Sequence, residues 1–216
     1  MKTKAFITAA ILASALHASA ASVIYTPISV SQTGGGAPNS GALVNTINGS
    51  GLSSPLADGA QIPALLPTHQ GGLTYGSNAV RWLFTANYPT TLTFDLGSLE
   101  TIDSLIFYNY NELFSGDYYN NRGITSVTAE FSTDNISYSD ATTLSFSLAD
   151  ENNPFSGELV GFSEQTAQYV RFSNIAGGDG AIIGFSEIRF TAVPEPSSTA
   201  LLGLGLCSML LRRKRS

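Results

Sequence analysis

Most of the residues that usually mark an enzyme are scarce in this chain of 216 residues. Its one cysteine, Cys207, lies in the C-terminal tail, so the part that folds can form no internal disulfide and must be held by packing. There are two histidines, His17 and His69, and only His69 lies outside the N-terminal leader described below, which excludes a His-rich zinc centre. No Gly-x-Ser-x-Gly, phosphate-binding Walker loop or His-Glu-x-x-His occurs. Positive charge is also thin. Of ten Lys and Arg residues, six belong to the two ends, leaving Arg81, Arg122, Arg171 and Arg189 against fifteen acidic residues between Ala21 and Ala192, a net charge of −11. Such a surface repels phosphate backbones and anionic lipid headgroups, so nucleic acid is not an expected partner.

A long hydrophobic run is missing as well, and this makes the two ends informative. The uncharged stretch Thr199–Leu211 has 13 residues, whereas a helix crossing the hydrocarbon core needs roughly 20. It follows Pro194, Glu195 and Pro196 and is followed by Arg212, Arg213, Lys214 and Arg215, the basic flank expected on the cytoplasmic side. A marginal span with a basic stop reads as an address or a temporary anchor. At the other end Lys2 and Lys4 precede an apolar stretch, Ala5–Leu16, and Ala18 and Ala20 form an A-x-A pattern, the layout of a cleavable secretory signal with Ala21 as the first mature residue. Three segments follow: a signal peptide at 1–20, a body at 21–192 and a sorting segment at 193–216. The ending V-P-E-P, short apolar run, Arg-rich close resembles the PEP-CTERM sorting signal of Gram-negative bacteria. That resemblance implies export, transient membrane retention through the short C-terminal helix, processing by an exosortase, and a final place on the cell surface or in the extracellular matrix. Pro194, Glu195 and Pro196 would be the recognition residues.

The body has the punctuation of an all-β domain, with Gly, Ser, Thr and Asn between short segments rich in Val, Ile, Phe and Tyr. In LTFDL, Leu92, Phe94 and Leu96 share one face, and in VTAEFS Val127, Ala129 and Phe131 do, each pattern predicting a half-buried strand. SLIFYNYN is continuously apolar at its start, as a strand buried on both faces would be. QYVRF and SEIRF alternate again, while SQTGGGAPNSGALVNTINGSGLSSPLADG reads as a long loop region. About 170 residues suffice for one core, and the expected architecture is a β-sandwich with loops gathered at its ends.

Taken in order, Asp95-Leu96-Gly97, Arg122-Gly123-Ile124, Ser132 with Asp134, Tyr169-Val170-Arg171 and Glu187 resemble the discoidin, or coagulation-factor C-type, domain among the galactose-binding-like jelly rolls. The resemblance spans about Leu56 to Thr191. It implies a jelly-roll sandwich that binds instead of catalysing, with glycans a frequent ligand, and a structural calcium held between an Asp-Gly loop and a Glu of the last strand, here Asp58 and Glu187. After Asp58-Gly59 the family continues to a Thr and a Trp within a few residues, whereas here AQIPALLPTHQGG intervenes before Trp82.

Sugar recognition needs an aromatic face for C–H surfaces and planar amide or guanidinium groups for hydroxyls. Tyr118, Tyr119, Asn120, Asn121 and Arg122 supply both in a connection between strands, and Trp82, beside Arg81, is a further candidate. Each has a plainer role open to it: Trp82 as core, the tyrosines as cover for a sandwich edge, Arg122 as a brace to a carboxylate. Besides an exported carbohydrate-binding module, the sequence admits a structural matrix component without a small ligand and, more remotely, a glycoside-acting enzyme built on two converging carboxylates.

Overall fold

A computed structural model of the chain describes residues 22–35, 38–70, 80–85, 89–151 and 154–192. The leader at 1–20 and the tail, with Pro194, Glu195, Pro196 and Arg212, Arg213, Lys214 and Arg215, lie outside the described residues. The strands in chain order are Val23–Tyr25 (β1), Ser29–Gly34 (β2), Pro38–Ser40 (β3), Thr68–His69 (β4), Trp82–Thr85 (β5) and Thr90–Asn109 (β6). After them come Leu113–Phe114 (β7), Asp117–Tyr118 (β8), Ile124–Ser132 (β9), Ser139–Ser145 (β10), Phe155–Ser156 (β11), Glu158–Gly177 (β12) and Ile182–Ala192 (β13). Two 3-10 turns, Leu43–Thr46 and Asn120–Arg122, complete the regular structure, and no helix among the described residues is long and apolar enough to cross a membrane.

The fold is the all-β jelly-roll sandwich that the sequence leads one to expect, and two long strands make it. LTFDL and the SLIFYN of SLIFYNYN are not separate strands but lie in the two halves of the 20-residue β6, and QYVRF lies in the second half of the equally long β12. The two pair antiparallel along their length, with register shifts between Gly161 and Gln165 and between Ala167 and Tyr169. Their first and second halves serve different layers. Thr90–Asp95 of β6 lies between β2 and the Tyr169–Phe172 part of β12, which continues to β9 and β10. Ile102–Asn109 lies between the start of β12 and β13, which continues to β5 and β1. Gly97, at φ +84°, stands between the two parts of β6, a conformation that costs a residue with a Cβ and suits the place where a strand bends from one layer to the other.

The inner faces match the alternation. Leu92, Phe94, Leu96, Val127, Ala129, Phe131, Val170 and Phe172 are all buried in the central cluster. Their rings interlock edge-on, Phe94 with Phe172 at 5.2 Å and with Phe190 at 5.8 Å, while Phe107 stacks on Phe146 at 4.0 Å. Each such ring removed from water contributes roughly 1.5–3 kcal/mol, and in a body without a disulfide this packing carries the stability. SEIRF departs from its half-exposed pattern. Ser186 and Glu187 are buried along with Ile188 and Phe190, because β13 is an interior strand and the Leu43–Thr46 turn and the residues after it lie over its second face.

Candidate functional site

The connection from β6 to β9, residues 110–123, is tied down at its root by one side chain. Asn109 Oδ1 accepts from the backbone N–H of Tyr110 and of Ile124, both at 2.8 Å, and its Nδ2 donates to the carbonyls of Ile124 and Ser147 at 2.7 Å. All four hydrogen bonds of the buried amide are therefore used to close the loop's two ends together. A Cβ on Gly123 would lie 2.6 Å from that Oδ1, so the glycine in Arg122-Gly123-Ile124 is there to let the clamp close. Asn111 and Asn120 repeat the device, donating to the carbonyls of Asp150 and Ala149 at 2.9 Å, so that three asparagines strap the segment 147–150 against the loop. On the other side of that segment is a hollow of about 240 Å³ with Phe107 and Asn109, Leu148, Asp150, Gly157 and Glu158 in its lining. Burial raises the Glu158 carboxyl, although Ser147 N–H donates to it at 2.9 Å.

Two charged groups of the loop, Glu112 and Arg122, are paired. Glu112 is buried and receives Arg81 on one oxygen and the Tyr110 hydroxyl on the other. Arg122 lies 3.9 Å from Glu112 and donates from Nε to Asp179 at 2.9 Å, and its guanidinium covers the Tyr119 ring at 4.3 Å. Burial tends to raise Asp179, but Arg122 and the N–H groups of Ile182 and Ala181 hold its carboxyl below the usual range. Arg122 takes the plainer role the sequence left open, bracing a carboxylate, and it also backs an aromatic ring. Tyr118, Tyr119 and Asn120 are half-buried and Asn121 is exposed. These five candidates come together on one loop, with Asn120 committed to the strap and Tyr118, Tyr119 and Asn121 presented outward.

Trp82 does not join them. It is fully buried, stacks on Phe84 at 4.4 Å and meets Phe185 edge-on at 6.2 Å, because β5 lies between β3 and β13 and carries its ring into the core. As a ligand contact it is corrected to a core residue. Its neighbour Arg81 is the residue that reaches the loop. Sequence reasoning missed Arg81, Glu112 and Tyr110, and scarcity was the available clue: each of the four arginines of the body is in an ion pair, Arg171 with Glu130 and Arg189 with Glu187 being the others.

Asp58 and Glu187, the pair expected to hold calcium, face different partners. Asp58 is exposed and accepts from Thr26 N–H at 2.9 Å, in a turn beside β1. Glu187 is buried and faces a different Gly-containing turn, Asn48-Gly49, whose Gly49 N–H donates to it at 2.9 Å. Its other oxygen is taken by Arg189, whose guanidinium also donates to the Ile188 carbonyl. Gly49 has φ +76° and a Cβ there would lie 3.4 Å from Arg189 Nη2, so the guanidinium lies against this turn as well as against the carboxylate. Burial pushes the Glu187 carboxyl up to about 7, with Arg189 and Gly49 N–H pulling it back. A hard dication needs several free oxygens, and here a carboxylate already faces a fixed positive charge. Among the described residues no group of three or more His, Cys, Asp or Glu could hold a metal ion.

Compared with known proteins, residues 192–215 match the PEP-CTERM protein-sorting motif, which implies export and exosortase processing at the cell envelope. No curated protein matches the chain. Among solved structures, it is similar to the family 32 carbohydrate-binding module of AlyQ in complex with 4,5-unsaturated mannuronic acid, at 17% identity, over 78% of this chain and 97% of that one, with a TM-score of 0.46. It is similar to the family 32 module from C. perfringens NanJ in complex with galactose, at 15% identity, over 79% and 98%, with a TM-score of 0.46. The lectin domain of Lectinolysin complexed with Lewis B antigen is similar at 12% identity, over 75% and 90%, with a TM-score of 0.48.

Proposed function

We propose that the body is a non-catalytic carbohydrate-binding module, exported and displayed on the cell surface or in the extracellular matrix after transient anchoring by its tail. The observation that carries this reading is the Tyr119–Arg122 stack, fixed by Asp179 and mounted on a loop clamped by Asn109. A pre-set aromatic face with amides beside it binds a sugar without first ordering its own side chains, and ordering is a main cost of association. The alternatives fit less well. The two carboxylates nearest the ring and its guanidinium, Glu112 of the loop and Asp179 of the β12–β13 turn, are each engaged by arginine, which suits a brace better than an acid/base pair. His69 is fully buried, out of reach of a substrate. A purely structural matrix protein would have no need of so closely clamped a loop.

Tyr119→Ala is expected to weaken glycan affinity by about 1 kcal/mol or more, as for a half-buried aromatic contact, with a smaller effect on the melting temperature. Galactose, unsaturated mannuronate oligomers and pectin are suitable first probes in titration calorimetry. A lower melting temperature with unchanged affinity would show that the ring serves packing alone, and hydrolysis of any probe would show an enzyme. The sorting half is tested apart from it. Replacing Arg212, Arg213, Lys214 and Arg215 with glutamine is expected to slow processing and retention, since cytoplasmic charge orients a short segment, and cell fractionation with wild-type trimming and release would refute that role.

A further inference from the structure

We infer a second carbohydrate-binding face on the sheet formed by β2, the first part of β6, the second part of β12 and β9, made of residues outside the 110–123 loop. The pairing register puts polar side chains in rows across these four strands. Ser31 faces Thr93, Thr93 faces Arg171 and Arg171 faces Glu130. In the next row Thr33 faces Thr91, and Ser173 faces Thr128. Their strand neighbours Leu92, Phe94, Val170, Phe172, Ala129 and Phe131 point into the core, so these residues form the outer face of the sheet. The outcome is a lattice of hydroxyls about 4.8 Å apart across the strands and about 6.7 Å apart along them.

The face is also hollowed. A concavity of about 360 Å³ has Thr91, Thr93, Arg171, Ser173 and Glu130 in its lining and Tyr138 beside them. This is within the range of small-ligand sites. The wall is stiff. Asp134 Oδ1 accepts from Ile136 N–H, Ser137 N–H and Ser132 Oγ at 2.9 Å, which holds its carboxyl below the ordinary range and fixes the turn between β9 and β10. Tyr138, at the end of that turn, donates from its hydroxyl to Asn135 Oδ1, and its ring lies 3.8 Å below the Arg171 guanidinium. Arg171 is held in turn by two hydrogen bonds to Glu130, from Nε at 3.0 Å and Nη2 at 2.8 Å, and Ser173 Oγ donates to the same carboxylate at 3.1 Å.

This chemistry selects its ligand class. The guanidinium is matched by its carboxylate, so the hollow offers no net charge for a phosphate or a lipid headgroup. It has no broad apolar patch for a protein partner. What it does offer is fixed donors and acceptors at close spacing, in the forms that pair with vicinal hydroxyls: Thr and Ser hydroxyls, a carboxylate and the outward N–H groups of a partly exposed guanidinium. A neutral polysaccharide chain fits that description. The inference rests on the reading of the body as a carbohydrate-binding module, but on different residues, and a chain held at loop and sheet together gains by effective concentration.

The test is affinity electrophoresis of the full chain in gels containing neutral polysaccharides (galactan, galactomannan or xyloglucan), comparing Thr91→Val with Thr93→Val, Tyr138→Ala, Tyr119→Ala and their combinations. Thr→Val keeps the shape and β-preference of an outward residue and removes only its hydroxyl, and melting curves check the fold. The double Thr91→Val, Thr93→Val variant and Tyr138→Ala are each expected to weaken retention about 5-fold or more, with Tyr119→Ala adding a separate loss. Retention unchanged by the sheet variants but reduced by Tyr119→Ala would overturn the second face and leave the loop site standing. Loss with the sheet variants alone would establish the sheet and remove the loop. A wild-type chain retarded by none of the polymers would overturn both.

Discussion

Arg189→Met is expected to destabilise the folded body by about 3–5 kcal/mol, the usual cost of removing one partner from a buried ion pair. The cause is what remains behind. Glu187 is fully buried, and without the guanidinium it keeps a single hydrogen bond, from Gly49 N–H, to offset the loss of water. Its carboxyl, already pushed up to about 7 by burial, loses the charge that pulls it down. The thioether of Met fills most of the space of the arginine stem, so the effect isolates the charge and its hydrogen bonds. Adding Glu187→Gln to Arg189→Met removes the stranded carboxylate and is expected to recover most of the loss, measured by denaturant titration; a double variant no more stable than the single one would refute the pairing argument. The same geometry predicts that neither millimolar calcium nor a chelator moves the melting temperature of the unaltered chain, since Arg189 stands where a cation would meet Glu187.

That pair shows where sequence reading succeeds and where it stops. One-sided alternation is local information, and Leu92, Phe94, Leu96, Val127, Ala129 and Phe131 went to the core as their spacing requires. SEIRF has the same alternation, yet its polar positions are buried, because the cover on their face comes from the Asn48-Gly49 turn, nearly the whole body away in sequence. Asn48-Gly49 and Asp58-Gly59 are equally good turn dipeptides, and nothing local says which will face the last strand. The family resemblance chose Asp58. In the fold that turn is bound to β1 instead, through Thr26 N–H to its carboxylate and Gly59 N–H to the Ile24 carbonyl.

The candidate site divides along the same line. Tyr118 to Arg122 could be found because they are contiguous and chemically suited to sugars. The parts that set them in place could not: Asn109 and Ser147 are 38 residues apart, Arg81 and Glu112 31, and Arg122 and Asp179 57. Arg81 and Trp82 illustrate the difficulty. Arg81 stands just before β5 and Trp82 opens it, and the ring entered the core while the guanidinium crossed to Glu112. Sequence attention to the aromatic member therefore picked the wrong one of the two.

His69 is expected to contribute stability that acid removes, a contribution seen on comparing the chain with a variant that lacks the imidazole. The imidazole is fully buried between Tyr108, at 5.7 Å, and Phe155, at 5.5 Å, and neither ring nitrogen makes a well-formed hydrogen bond, the backbone of Ser50 and Gln70 lying near. Burial lowers its pKa from 6.5 to about 4, opposed only weakly by the backbone of Ser50 and Gln70. Between those two values the unfolded chain binds a proton that the folded chain excludes, so stability rises with pH from about 4 to 6.5 and is lost as pH falls through that window. The full contribution is about 3 kcal/mol. Glu187 acts in the opposite sense over a nearly coincident range: its raised pKa makes the folded state the better proton binder between 4.5 and 7, which favours folding as pH falls. The wild-type profile alone would therefore look nearly flat there and conceal both groups. His69→Leu uncovers them, because a neutral side chain of similar bulk between the two rings removes the histidine's slope and leaves that of Glu187. Denaturant titrations of both proteins at pH 4, 5, 6 and 7 are expected to show the stability difference, wild type minus variant, falling by about 3 kcal/mol from the top of the series to the bottom. A difference that does not change with pH would show that His69 titrates alike in the folded and unfolded chains, and that the cavity around it is open to water.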